Sequence, residues 1–296
     1  MNKNACFMFL GLSLMCLNNA AAQDLEPRRW TVLPAGLNVV GTGYSRIEGD
    51  VSFDPVMQIE NATMSGHALG VSYVRSFAFA EKIARLDILV PWANMRWTGL
   101  LDGAPATATR VGLSDPNIRL SMILSGDKPD NLADSNTVIG AAIAINVPFG
   151  EYHDEKLLNL GANRFYFRPQ VGVLHTRGNW SYEVTGSVFL YGDNDDFFGG
   201  STLEQDPLYA LQTHLIYAFD KPGYWAALSA GYGWDGESTI DGNKADDNRR
   251  LFLSALAVGA PTGKRQGIKF AYVRTRTNTS KGSDVDSFSL GWSYSF

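Results

Sequence analysis

The sequence predicts an all-β protein, an antiparallel transmembrane β-barrel of the outer membrane with about twelve strands. Three observations carry this reading. First, residues 287–296 alternate at every step. Phe288, Leu290, Trp292, Tyr294 and Phe296 fall on one face of a strand, and only Ser and Gly fall on the other. An edge strand of a soluble sandwich has no need of so aromatic an outer row, whereas a strand between lipid and a polar lumen does. Second, Lys3 precedes an apolar run at 6–17, and Ala20-Ala21-Ala22 precedes Gln23. That run is too short to span a bilayer as a helix; it reads as a signal peptide cleaved after Ala22. Third, the chain is 45% hydrophobic with a mean hydropathy of -0.11 and has no other long apolar run. Its apolar residues are therefore dispersed in alternation, which excludes a helical membrane protein.

Composition sets further bounds. Cys6 and Cys16 both lie in the leader, so the mature chain is expected to lack thiols, disulfides and cysteine metal sites. Leu14-Met15 before Cys16 makes a poor lipoprotein signal, because Met stands where a small residue is needed. Net charge is -5, and loss of Lys3 with the leader makes it -6. That leaves no basic footprint for a nucleic-acid partner.

The chain divides into a signal peptide at 1–22, an N-terminal periplasmic or plug segment at 23–36, and a barrel at 37–296. The plug candidate carries Glu26-Pro27-Arg28-Arg29-Trp30 and is long enough to fold inward. The first strand is read at 37–48. The second, at 68–80, has the row Leu69, Val71, Tyr73 and Phe77, interrupted by Arg75. Either a snorkelling side chain or a bulge accommodates that arginine. The third, at 82–97, turns Leu86, Ile88, Val90 and Trp92 to lipid; the fourth, at 115–124, turns Ile118, Leu120 and Met122. The fifth, at 137–149, presents Ile139, Ala141, Ile143, Ile145, Val147 and Phe149. Segments 164–176 and 180–191 pair around Arg177-Gly178-Asn179, and in the second of them Trp180, Tyr182 and Val184 alternate with Ser181, Glu183 and Thr185. Strands at 206–219 and 223–235 follow. The row Tyr224, Ala226, Leu228, Ala230, Tyr232 and Trp234 has aromatics at both ends, as two interfacial girdles require. Strands at 249–260, 267–277 and 284–296 complete the set. In the first and tenth strands both rows could face lipid.

Connections alternate in length. Short turns at 80–82, 177–179, 220–223 and 261–265 fall between longer loops near 49–67, 98–114, 150–163, 192–205 and 236–248. With a periplasmic N-terminus this is the layout of short periplasmic turns and long outer loops. Residues 125–136 are long for a turn, and 278–283 short for an outer loop.

The rows opposite lipid predict the lumen: Arg85, Asp87, Arg119, Arg168, Gln170, Glu183, Gln212, His214 and Lys269. Arg or Lys on the lipid face near the midplane costs about 2–4 kcal/mol. These groups are therefore placed inside and expected to pair. They read either as a filter that orients a solute or as an ion network that fills the barrel. Twelve strands lie between the side-chain-filled and water-filled sizes. Asp195, Asp196, Phe197 and Phe198 mark an outer loop at a candidate entry, and Asp241, Asp246 and Asp247 form a second acidic cluster. The EF-hand spacing is absent, so solvated loop charge or divalent-bridged lipopolysaccharide contact is the expected role.

No catalytic signature emerges. His67, His153, His175 and His214 sit in no H-x-S-N-G, H-E-x-x-H or nucleophile-elbow context, so no enzyme and no cofactor is expected. His214 beside Gln212 reads as a satisfied lumen histidine.

Several stretches carry a family resemblance: Gly49-Asp50 with Phe53-Asp54-Pro55, Asp115-Pro116-Asn117-Ile118-Arg119-Leu120, the run from Leu158 through Arg164 and Phe165 to Phe167-Arg168-Pro169-Gln170, and Asp195-Asp196-Phe197-Phe198. They resemble the bacterial family named for the meta-pathway of phenol degradation. The resemblance implies an outer-membrane barrel passing small, often hydrophobic or aromatic, compounds. The expected function is a channel or passive transporter for small organic solutes. A closed structural or surface-binding barrel is the alternative, with an outer-membrane lipid hydrolase behind it. Expected partners are outer-membrane lipid and lipopolysaccharide, the assembly machinery through the C-terminal Phe296, and a small-molecule solute.

Overall fold

Lipid outside and polar groups inside force each wall strand into period-two alternation, and every backbone N–H and C=O at membrane depth must find a partner. A closed ring meets both demands. The computed structural model describes residues 25–52, 59–126, 135–279 and 281–296; the expected signal peptide lies outside them. The strands are β1 (Asn38–Ser52), β2 (Ile59–Phe79), β3 (Lys82–Leu101), β4 (Ala104–Leu113), β5 (Asn117–Ser125), β6 (Ser135–Asn146), β7 (Tyr166–Arg177), β8 (Trp180–Tyr191), β9 (Asn194–Phe197) and β10 (Ser201–Gln205). They continue with β11 (Leu208–Ala218), β12 (Trp225–Asp235), β13 (Ser238–Ile240), β14 (Asn243–Lys244), β15 (Arg249–Gly263), β16 (Gln266–Thr277) and β17 (Gly282–Ser295).

All wall pairings are antiparallel, and β2–β3 pairing together with the β1–β17 seam closes the sheet. The wall has twelve strands once β4 and β5 are taken as one interrupted strand, since both pair with β3. Outward residues remain exposed as a lipid-facing row requires; Leu290 is 54% exposed. The first strand turns Val40, Thr42 and Tyr44 outward, and the tenth wall strand, β15, turns Phe252, Leu256 and Val258 outward. Arg75 is outward and exposed, and β2 shows no register shift near it. It sits beside the periplasmic turn, where its head reaches the interface; no bulge is involved.

The outer half departs from the expected loops. β2 and β3 run for 21 and 20 residues, about twice the 9–11 that span a bilayer. Where 49–67 and 98–114 read as loops, the strands continue above the membrane. Asp102 and Gly103 have φ of 53° and 75°, a two-residue hairpin of the type that Asp-Gly favours. Above the lipid the outward row is free to be polar, as at Asn94, Arg96, Thr107 and Thr109. The loops expected at 192–205 and 236–248 instead contribute β9, β10, β13 and β14 to a separate four-stranded outer sheet.

Between β4 and β5 the wall breaks at Ser114-Asp115-Pro116. Pro116 has no N–H to donate, and Asp115 turns its carboxylate to the β6–β7 connection. It accepts hydrogen bonds from Gly150 N (2.9 Å), Ala162 N (2.8 Å) and Asn146 Nδ2 (2.9 Å). The connection thus leaves the wall after Asn146 and folds inward. Leu160 packs with Ile47, Met64, Ala68, Ala93, Met95, Trp97 and Val285.

Candidate functional site

Inward-facing positions on β3, β5, β7, β8, β11 and β16 carry the polar residues singled out from sequence. Arg119, Arg168, Gln170, Glu183, Gln212, His214 and Lys269 are buried, and Arg85 and Asp87 are half-buried. Four of them meet on a segment that enters from the periplasmic end. From Asn38, residues 25–37 rise inside the wall. Leu33 packs on Val39 and Val74 near the entrance, Trp30 on Val138 and Leu174 higher up, and Leu25 on Leu251 and Leu253.

The chemistry of the contact is electrostatic. The amides of Arg29 and Trp30 donate to the Glu183 carboxylate at 3.1 and 3.4 Å. Arg29 Nη1 donates to Asp87 at 3.1 Å and Nη2 to Ser121 Oγ. Arg85 Nε donates to the other Asp87 oxygen at 2.8 Å, and its Nη1 reaches the Arg29 carbonyl at 3.5 Å. Arg119 makes a two-point pair with Glu26, whose second contact is 3.0 Å. Asp87 thus pairs with both Arg29 and Arg85, Glu26 pairs with Arg119, and the Glu183 carboxyl accepts the two segment amides. Removing one member of a buried pair leaves an uncompensated charge.

Trp30 locks the segment sterically. Its indole N–H donates to Thr185 Oγ1 at 2.7 Å, and its ring lies against Gly140 and Gly172. A Cβ at Gly140 would come within 2.3 Å of the ring, and one at Gly172 within 1.8 Å. The two wall glycines form the recess the indole fills.

Two further candidates bond within the wall. His214 Nδ1 is 2.8 Å from Ser229 Oγ. Arg168 donates to Ser187 Oγ at 3.2 Å and lies 4.5 Å over the Phe189 ring. In the outer sheet Asp195 and Asp196 are exposed, Phe197 is half-buried and Phe198 is 47% exposed. Asp241 and Asp247 accept backbone hydrogen bonds from Thr202 and Ser238 at 2.8 and 2.7 Å. Among the described residues no group of His, Cys, Asp and Glu could hold a metal ion.

Sequence reasoning missed the individual partners Glu26, Arg29 and Trp30. A charged Glu-Pro-Arg-Arg-Trp run ahead of a barrel with matching interior charge was their signal. It also missed Gly140 and Gly172, which are legible only as small residues on inward rows.

Fold and interior together define an outer-membrane β-barrel whose lumen holds its own N-terminal segment. The chain belongs to the family described as "Putative MetA-pathway of phenol degradation", which matches residues 60–290. Its structure is similar to the COG4313 outer membrane channel from Pseudomonas putida F1, with a TM-score of 0.77 at 20% identity, covering 92% of this chain and 100% of that one. It is also similar to the transport unit of the autotransporter AIDA-I from Escherichia coli, with a TM-score of 0.53 at 9% identity, covering 90% and 92%. No curated protein matches. At these identities the likeness is one of fold.

Proposed function

We propose that the protein is a channel of the outer membrane, a passive conduit for small organic solutes, with residues 23–36 acting as its plug. One observation carries this reading: wall side chains at Asp87, Arg119 and Glu183 find ion-pair or hydrogen-bond partners on the N-terminal segment rather than in the wall alone. A segment anchored at one end is displaceable, and its departure leaves a charged passage that water and solute can enter. Family membership and the likeness to the Pseudomonas outer membrane channel support the same direction. Solute gradients drive passage, with no cofactor and no catalytic step. Leader removal after Ala22, reading of Phe296 by the assembly machinery and divalent-bridged lipopolysaccharide contacts at the acidic outer loops belong to the same proposal.

The test compares liposome uptake and single-channel conductance of the full chain with a chain lacking residues 23–36. The truncated barrel is expected to conduct and to pass small aromatic solutes faster than empty liposomes. Silence in both chains supports the closed structural barrel instead. Phospholipid hydrolysis in detergent, abolished by His214→Ala, would support the hydrolase.

A further inference from the structure

On its outward face the wall changes chemistry where the lipid-facing row ends. On β17 that row runs from Phe288 to Phe296, nine residues, enough to span a bilayer. The next outward positions toward the outer side are Asp286 and Asp284. Neighbouring strands turn polar at the same level: Arg274 and Arg276 follow Tyr272 on β16, Arg46, Glu48 and Asp50 follow Tyr44 on β1, and Ser65 and Thr63 lie beside them on β2. Together these four strands border a cleft of about 590 Å³. Glu48, Asp50, Thr63 and Arg274 on its lining are exposed.

Like charges stand opposite one another across the floor of this cleft. In the β1–β17 register Glu48 faces Asp286 and Asp50 faces Asp284, and such pairs are destabilising on their own. Arginines supply part of the missing positive charge. Arg276 Nη2 donates to Asp286 at 2.7 Å, and its Nε lies 3.9 Å from Asp284. Arg46, at the edge of the cleft, donates from Nε and Nη2 to Glu48 Oε1 at 2.9 and 2.6 Å. Arg274 stands beside the Tyr272 hydroxyl, which donates to Asp286 at 2.5 Å. Four carboxylates against these three guanidinium groups leave one negative charge over. A lone phosphate meets that excess as repulsion, whereas a phosphate that arrives with a divalent cation does not. Among the described residues no group of His, Cys, Asp and Glu could hold a metal ion by itself. A cation here therefore needs further oxygens from a ligand, the mode in which one or two carboxylates and a ligand's phosphates share a divalent ion.

We propose that this cleft binds the phosphorylated sugar headgroup of lipopolysaccharide together with a divalent cation. Arg274 contacts a phosphate directly, and Glu48 and Asp50 share the cation with the phosphate oxygens. The Thr63 and Ser65 hydroxyls meet the sugar, and the acyl chains run down the lipid-facing row from Phe288 and Leu290. The site is independent of the conduit reading. It is also separate from the acidic outer loops, since Asp195 and Asp196 follow β8, on the far side of β15, β12 and β11 in the wall.

The test is native mass spectrometry of the purified full-length protein in detergent, titrated with deep-rough lipopolysaccharide, its dephosphorylated form and phosphatidylglycerol, each in magnesium and in EDTA. One lipopolysaccharide is expected per chain in magnesium, with affinity about tenfold or more weaker in EDTA and for the other two lipids. Inorganic phosphate, which has neither sugar nor acyl chains, should not displace it. Arg274→Gln should weaken binding in both media. Asp50→Asn should weaken it in magnesium alone, so that the two media become alike. Should one variant fail to fold, the other carries the comparison. Phosphatidylglycerol binding as tightly, binding indifferent to EDTA, or normal binding in either folded variant overturns the proposal. Displacement by inorganic phosphate does so too, by assigning the cleft to the free anion, as does a second protein chain bound in place of the lipid. A barrel that binds lipopolysaccharide in this way yet conducts in neither chain overturns the conduit reading alone.

Discussion

Trp30 and Gly172 make the sharpest test of the plug, because they can be perturbed from opposite sides. Alanine at 172 would place its Cβ 1.8 Å from the indole nitrogen. Ordinary contact would need a retreat of about 1.6 Å, into a ring already held against Gly140. Overpacking of this kind costs about 1–3 kcal/mol, which shifts the docked-to-released ratio by about 5- to 150-fold. Trp30→Ala works from the other side. It removes a fully buried indole, worth about 3–5 kcal/mol, and its bond to Thr185, worth about 0.5–1.5 kcal/mol. Both variants should raise the open probability in single-channel recordings, the tryptophan variant more. The double variant should open no more than Trp30→Ala alone, since alanine at 172 then has nothing to strike. Fully additive effects, or open probabilities unchanged in both single variants, would refute the packing argument and with it the plug.

Other expectations follow from the same geometry. Asp87→Asn should release the segment by leaving Arg29 and Arg85 buried without their carboxylate, a loss of about 3–5 kcal/mol; trypsin should then cut after Arg28 or Arg29 faster than in the unaltered protein. Asp115→Ala removes the acceptor for Gly150, Ala162 and Asn146, each bond worth about 1.5–3 kcal/mol, so residues 147–165 should become protease-sensitive while the melting temperature of the wall changes little.

The wall was readable because lipid enforces one rule on every strand it touches. Phe288, Leu290 and Trp292 obey it, and so do Ile139 and Ile143. Interior charge was readable by exclusion: Arg119 and Glu183 had nowhere else to go. The rule stops where lipid stops. Thr107 and Thr109 face water on β4, so no apolar period marked that strand, and only Asp102-Gly103 betrayed its hairpin. The outer-sheet strands are 2–5 residues long, too short to show a period. Partners within the plug were hidden for a different reason. Glu26 and Arg29 lie in irregular chain, and nothing in local sequence tells an irregular segment which wall residues it will meet.

The seam between β1 and β17 joins the first and last strands of the wall. Its register runs from Val39 with Ser295 to Ser52 with Gly282, and Asn38 exchanges backbone hydrogen bonds with Phe296 at 3.0 and 2.9 Å. The plug departs from that same point. The vessel is therefore fastened where its stopper is hinged. Deleting β17 would not shorten the sheet by one strand. It would leave two unpaired edges in hydrocarbon, where each bare N–H and C=O is costly, and there would be no inside left for the N-terminal segment to occupy.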